Sequence, residues 1–406
     1  MGKQRQLDDR KSMSEEKDQT LSTRLIHAGR SATRFKGAVN PPIQRASTIL
    51  TETVNDLYGS DKSLYGRMGT EVHAVLCDGL KALESASHVQ LTPNGLSACS
   101  LALAACVSAG DHVLLTDSAY GPTRRFVERY LRKMGVETDL FDPRISASEL
   151  ANLLRDNTKA VFFEAPGSLT FELHDLKALI PICRSKGITT LIDNTWSAGV
   201  CFKPLTLGID ISVQALTKYV IGHSDGFGGA VMTQKSDLAK QVEDTAQDWG
   251  LSMSPDDAYL AQRGLRTLTT RLRAQGESAL GLAHWLTEQP QVSGVYHPAL
   301  DSHPDHDIWK DLFTGSSGLF AFSVHDTQSD RLNAFFASLR LFGFGFSWGG
   351  FESLMIPCDP QLKRTKSPAW KGRDYGTLIR VSVGLENQED LKQDLEKALQ
   401  SLSTHL

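Results

Sequence analysis

The chain has 406 residues, a formal net charge of −4 and 40% hydrophobic residues, enough apolar material for one large core or two smaller ones. Basic and acidic residues are mixed along its length, giving neither the basic footprint of a nucleic-acid binder nor a membrane-directed basic face. The longest apolar runs are strand-length and broken by Gly, Pro or charge, so none is expected to span a bilayer.

Met1 to Thr20 is polar and charged, without the apolar stretch of a signal peptide and with too many acids for a transit peptide; it reads as a flexible arm. Residues 1–68 as a whole read as an extended arm with little core of its own. Next, Thr92-Pro-Asn-Gly-Leu-Ser opens a small-residue helix. Strand-like runs at His112–Thr116, Thr138–Phe141, Ala160–Glu164, Ile188–Ile192 and Asp210–Val213 then alternate with amphipathic stretches at Pro122–Met134, Ser146–Arg155 and Leu176–Lys186. That alternation predicts an α/β unit with a mainly parallel sheet covered on both faces, over residues 69–264. A helical pattern starts at Pro255 and runs past Leu272, and another helix follows around Ala279–Gln289. Strands at Leu319–Val324 and Thr377–Val383 and helices at Asp330–Leu339 and Glu389–Leu402 predict a smaller α/β domain over 265–406. The six cysteines (Cys77, Cys99, Cys106, Cys183, Cys201, Cys358) form no C-x-x-C pair, which points to reduced thiols and a cytoplasmic location. His303-Pro-Asp-His306 has no further ligand cluster around it, so no metal is expected.

Parallel sheets place ligands at the carboxyl ends of their strands. Asp117-Ser-Ala-Tyr120, Glu164-Ala-Pro-Gly-Ser168, Asp193-Asn-Thr-Trp196 and Lys218 all follow a strand in this way. A lysine able to form a Schiff base beside an acid at a strand tip is the pair that pyridoxal phosphate chemistry needs. The amine holds the aldehyde and the acid keeps the pyridine nitrogen protonated. Gly95 lets the backbone approach an anion at a helix N-terminus, where a phosphate fits, and the Thr217 hydroxyl could reach the same phosphate. Tyr120 could lie over a bound ring or be a half-buried packing residue. Arg67, in Tyr65-Gly-Arg67, suits phosphate binding or a solvated loop. Arg380 sits inside an apolar strand, where a buried guanidinium needs a partner such as a ligand carboxylate unless it points outwards. Ser347-Trp348-Gly-Gly suggests a pocket wall or a tight turn.

From about Leu21 to the C-terminus the chain resembles the Cys/Met-metabolism family of pyridoxal phosphate enzymes. The likeness is carried by Leu64-Tyr-Gly-Arg67, Thr116–Tyr120, Glu164–Thr170, Asp193–Gly199, Thr217–Asp225, Arg263–Leu268, Thr314–Phe320, Ser347–Gly350 and Thr377–Arg380. The resemblance implies an aspartate-aminotransferase-like fold (fold type I), with Lys218 as Schiff-base lysine and catalytic acid/base and Asp193 on the pyridine nitrogen. It implies Tyr120 stacked on the ring and, with Lys218, a catalytic residue. Gly95, the Leu96 N–H and Thr217 would hold the phosphate, joined by Tyr65 and Arg67 from a neighbouring subunit. Arg380 would bind the substrate α-carboxylate, with Ser347 and Trp348 beside it. A homotetramer of two active dimers is implied as well. Two positions depart from the family pattern: Ala215 stands where many relatives carry a phosphate-binding Ser, and Met68 where some β-lyases have a second Arg.

The family holds β-lyases, γ-lyases and γ-synthases on one scaffold, so fold does not choose among them. Gly167-Ser168, in place of the Asn-Pro step typical of γ-acting members, resembles the β-lyases, as do Trp196 and Ser347-Trp348. The expected activity is β-elimination of L-cystathionine or a related cysteine thioether to thiol, pyruvate and ammonia. Cystathionine or methionine γ-lyase and γ-synthase are the alternatives, and a catalytically silent pyridoxal-binding scaffold is the remote one.

Overall fold

The computed structural model describes residues 19–31, 33–59, 64–370 and 375–402. Of the segment expected to be a flexible arm, residues 1–18 lie outside these. Among the described residues eleven strands form two sheets. The larger is built from β1 (His88–Thr92), β2 (His112–Thr116), β3 (Glu137–Phe141), β4 (Thr158–Glu164), β5 (Thr189–Asp193), β6 (Ile211–Gln214) and β7 (Gly229–Thr233), in the order β1-β7-β6-β5-β4-β2-β3. From β6 to β3 every neighbour is parallel, whereas β7 runs against both β6 and β1.

The apolar runs are continuous because both faces are buried. Successive residues alternate between two cores: Leu114, Val161, Phe163 and Ile192 enter one, and Val113, Leu115, Ala160, Phe162 and Leu191 the other. Five predicted strands are present to within two residues at each end. The sequence reading missed β1 and β7. The first is half polar along its length, and the second opens on a glycine, so neither carries a clean strand pattern.

β8 (Val292–Tyr296), β9 (Leu319–Val324), β10 (Leu354–Pro357) and β11 (Thr377–Ser382) form a second, wholly antiparallel sheet in the order β10-β11-β9-β8. Its β11 is interior and buried throughout. The period of two sends Ile379 and Val381 into a core shared with the helix Gln388–Gln400, and Leu378 towards the core of the larger sheet. Arg380 shares the parity of Leu378, so it too faces the larger sheet.

The helical pattern expected to run unbroken past Leu272 stops at Leu265 and restarts at Leu268, and the helix expected separately at Ala279–Gln289 is the end of the second piece, Leu268–Thr287. The break has a tertiary cause. Gly264 lies so close to the Val220 and Ile221 carbonyls that a Cβ would stand 2.1 Å from Val220 O. Arg271 reaches back to the Gly264 carbonyl (2.8 Å), which also accepts from Thr267 N–H (3.1 Å), and to Tyr219 O (2.8 Å), tying the break to the segment that follows Lys218. Near the N-terminus, Leu21–His27 buries Leu25 against the helix Glu71–Glu84, while Val39, Leu50, Val54 and Tyr58 remain exposed.

Candidate functional site

The register of the larger sheet brings the carboxyl ends of β1, β2, β4, β5 and β6 to one edge: Thr92 pairs with Gly229, Gln214 with Ala230, and Glu164 with Asp193. From that edge rise the segments that end in Gly95, Tyr120, Asp193 and Lys218. The smaller sheet supplies Arg380 and the loop Ser347-Trp348.

Asp193 is buried at the tip of β5. Its Oδ1 accepts from the Thr195 N–H (3.0 Å) and hydroxyl (2.5 Å), and its Oδ2 accepts from the Cys99 thiol at 3.6 Å. Burial pushes the carboxyl pKa up, while the Thr195 bonds and the charge of Lys218 pull it down. Thr195 Oγ1 in turn accepts from Ala215 N–H at 2.9 Å, which stitches the β5 tip to the segment carrying Lys218. A buried Glu84 completes this support. Its Oε1 accepts from Asn194 (2.9 Å) and Gln214 (2.6 Å), the residues that follow Asp193 and precede Ala215.

Lys218 Nζ donates to Ser347 Oγ at 3.0 Å and lies 5.2 Å from the centre of the Trp348 ring. Burial and the positive charge of Arg380 lower its amine to about 8, against an opposing pull from Asp193. Arg380 is buried. Its Nη2 donates to the main-chain carbonyls of Phe346 (2.7 Å) and Ser347 (3.0 Å), so Ser347 stands between the lysine and the guanidinium. The outward-pointing alternative for Arg380 is thereby excluded. Trp348 packs edge-on against Tyr219 at 5.4 Å, and Gly349, at φ +81°, lets the loop pass within about van der Waals contact of the Tyr219 backbone.

Tyr120 has its backbone N–H on Glu164 Oε2 (2.6 Å) and keeps 44% of its surface exposed at the mouth of the site. Glu164 itself is driven well above the carboxylate range by burial and by the neighbouring Asp193 charge. Gly95 opens the helix Gly95–Ala104, capped by Asn94 through Ser97 N–H at 2.9 Å. A Cβ on Gly95 would lie 2.4 Å from that of Ala215. The first helix N–H groups, Leu96 among them, have no partner within the helix and face the same edge. The Thr217 hydroxyl donates to Gly228 O (3.1 Å) and accepts from Gly228 N–H (3.0 Å).

Lys218, Asp193, Tyr120, Arg380, Ser347, Trp348, Thr217 and Gly95 are thus gathered about one edge. Tyr65 and Arg67 line another groove, with Ala46, Ser47 and Ser252 to Pro255, and the Arg67 guanidinium sits 5.6 Å from the Tyr65 ring centre. Trp196 is buried and donates to Leu319 O (2.8 Å), pinning the β5 loop to β9. Sequence reasoning passed over Thr195, Cys99 and Glu84. Thr195, two residues beyond a strand-end acid, carried a usable turn signal. Cys99 and Glu84 carried none, since one reads as a small apolar helix residue and the other as a solvated helix end.

The cradle fits a phosphorylated pyridine aldehyde: a glycine helix start, a buried acid at a strand tip and an amine held near neutrality. The family model for Cys/Met metabolism PLP-dependent enzymes matches residues 22–400. The chain belongs to that family. Its cofactor is accordingly pyridoxal phosphate, and its fold is that of the fold type I enzymes. Among curated relatives, "Cystathionine beta-lyase" of Salmonella typhimurium is 42% identical over 93% of this chain and 98% of its own length. "L-alanine/L-glutamate racemase" of Wolbachia pipientis is 35% identical over 93% and 96%. Among solved structures, cystathionine gamma synthase from Xanthomonas oryzae superposes with a TM-score of 0.88 at 32% identity, covering 96% of this chain and all of that one.

Proposed function

We propose that the protein is a carbon–sulfur lyase that cleaves L-cystathionine or a related cysteine thioether by β-elimination. The observation that carries this reading is the Lys218 amine, lowered to about 8 and linked through Ser347 to a buried Arg380. When bound, pyridoxal phosphate supplies an aldehyde for the substrate amine and a ring that delocalises electrons from Cα. Gly95, the Leu96 N–H and Thr217 would hold its phosphate, Thr217 by turning its hydroxyl away from Gly228 O; Asp193 would keep a proton on the ring nitrogen and Tyr120 would stack on the ring. Arg380 binds the α-carboxylate, with Ser347 and Trp348 beside it, which orients Cα–H towards Lys218. Lys218 takes that proton and returns one to the departing sulfur. The three-carbon product then adds water, giving pyruvate and ammonia.

The alternatives on this scaffold are γ-elimination or γ-replacement, racemisation as named for the Wolbachia relative, and silent cofactor binding. The loop Gly167-Ser168 and the 42% identity to a β-lyase favour the first reading. Steady-state assays with L-cystathionine, scored for pyruvate against 2-oxobutyrate, test it directly. Pyruvate and homocysteine are expected. Dominant 2-oxobutyrate and cysteine would make the chain a γ-lyase, and a cofactor band without turnover a silent binder.

We further infer a homotetramer of two active dimers, in which Tyr65 and Arg67 complete a neighbour's phosphate site. Their groove and the exposed apolar residues Val39, Leu50, Val54 and Tyr58 support that arrangement. A cytoplasmic location is supported by six free cysteines and by the lack of any helix, among the described residues, long and apolar enough to cross a membrane. The division into an arm (1–68), a large cofactor-binding domain (69–264) and a small domain (265–406) belongs to the same proposal.

A further inference from the structure

Beside Tyr120, the loop Gly167–Glu172 holds two non-glycine residues in the left-handed region, Leu169 at φ +69° and Phe171 at φ +59°. Side chains with a Cβ avoid that conformation, so surrounding contacts must impose it. The contacts are explicit. Ser168 N–H donates to Ser118 O (2.8 Å), Gly167 N–H to Glu172 O (2.8 Å) and Phe171 N–H to Gly167 O (2.9 Å). A Cβ on Gly167 would stand 2.6 Å from that of Ser118, so the loop presses on the segment leading to Tyr120.

A strap from the far end of the chain holds this loop from outside. Arg364 Nη2 donates to Ser168 O and, at 2.8 Å, to Thr170 Oγ1. Glu172 accepts from Trp370 Nε1 (2.7 Å) and from Thr170 Oγ1 (2.5 Å). Asp117, fully buried, anchors the strap by accepting from the backbone of Thr365 (2.7 Å) and Lys366 (2.8 Å), while its other oxygen pairs with Arg124 (2.8 Å). The positive charge of Arg364 is also felt by Glu164, the carboxyl that receives the Tyr120 N–H. The Arg364 guanidinium therefore reaches the Gly167–Glu172 loop directly and, through its charge, the Glu164 carboxyl that receives the Tyr120 N–H.

We infer that Arg364 is a specificity-determining positioning residue: it clamps the strained loop Gly167–Glu172 as the wall against which the distal half of a long thioether lies. This rests on the lyase reading above and adds the part of the substrate that is discriminated. A short thioether does not reach the wall, so loss of the clamp should act on long substrates selectively rather than on all alike.

The test uses the cofactor-loaded enzyme and its Arg364→Ala, Arg364→Lys and Thr170→Val variants. Amide hydrogen exchange is followed across residues 167–171, and kcat/KM is measured for L-cystathionine and S-methyl-L-cysteine. In Arg364→Ala, exchange at these amides should accelerate at least about tenfold. The kcat/KM ratio of the long to the short substrate should fall at least about fivefold. Arg364→Lys should recover part of both, and Thr170→Val, which removes the hydroxyl shared by Arg364 and Glu172 but leaves the Arg364 bond to Ser168 O, should move both by less. Unchanged exchange overturns the clamp. Faster exchange with the substrate ratio held within about twofold overturns the specificity role and leaves Arg364 merely structural. A parent inert towards both thioethers sinks the lyase reading, and the exchange measurements then decide the clamp alone.

Discussion

The two sheets serve the site in different ways. The larger, mainly parallel one contributes loops: because its strands point the same way, Asp193, the Tyr120 segment, the Lys218 segment and the Gly95 helix start emerge from a single edge. The smaller sheet is antiparallel, its strand ends alternate, and no edge collects them. It contributes a face, from which Arg380 projects out of the middle of buried β11. Loop ends can adjust around a ligand. A mid-strand guanidinium is held by the ladder on both sides, through Ile356 on β10 and Ala321 on β9, and so suits fixed recognition of a carboxylate.

The sharpest way to break that division is at the rim. Lys218→Ala should lower turnover at least about a thousandfold and abolish the visible cofactor band while leaving the fold intact, because one amine serves as anchor and as acid/base. Turnover within tenfold of the parent would remove Lys218 from the chemistry. Asp193→Asn should weaken cofactor retention and cost roughly a hundredfold in rate, since an amide cannot hold the ring proton as a carboxylate does. Normal kinetics would make Asp193 a structural residue.

On the face side the expected change is smaller and differently distributed. Arg380→Ala should raise KM about tenfold and lower kcat by a similar factor, the mark of a group that both binds and orients. If kcat alone changed, the guanidinium would act only in the transition state, and the contrast between rim and face would lose its basis.

A pH experiment sharpens the rim further. Burial and Arg380 disfavour the charged amine of Lys218, so it is half neutral near pH 8 rather than near 10.5, with about one molecule in ten neutral at pH 7. Only the neutral amine attacks an aldehyde. The rate at which cofactor-free protein takes up pyridoxal phosphate should therefore rise from pH 7 to 9 with a midpoint near 8, and a rise continuing past pH 10 would show an unperturbed lysine. Smallest of all is Glu164→Gln. Burial and Asp193 already favour the neutral acid, and a glutamine still accepts the Tyr120 N–H, so activity within about threefold is expected. A loss beyond tenfold would mean that the Glu164 proton itself takes part.

What the sequence by itself determined is what local patterning encodes. Strands with both faces buried appear as unbroken apolar runs, which made β2, β5 and β6 legible, and with them the strand-end positions of Tyr120, Asp193 and Lys218. Where local pattern was mixed, reading stopped: β1 and β7, the helix break at Arg266 and Thr267, and the choice between a buried and a solvated Arg380. Each depends on partners far along the chain. Cys99 meets Asp193 across 94 positions, Gln214 meets Glu84 across 130, and Arg364 meets Thr170 across 194. Such pairings carry no periodic signature, because what stabilises them is the exclusion of water around polar groups that only the folded chain brings together. The tertiary structure alone decided which carboxyls are buried, which lysine amine is pushed towards neutrality, and which loop is held under strain beside Tyr120.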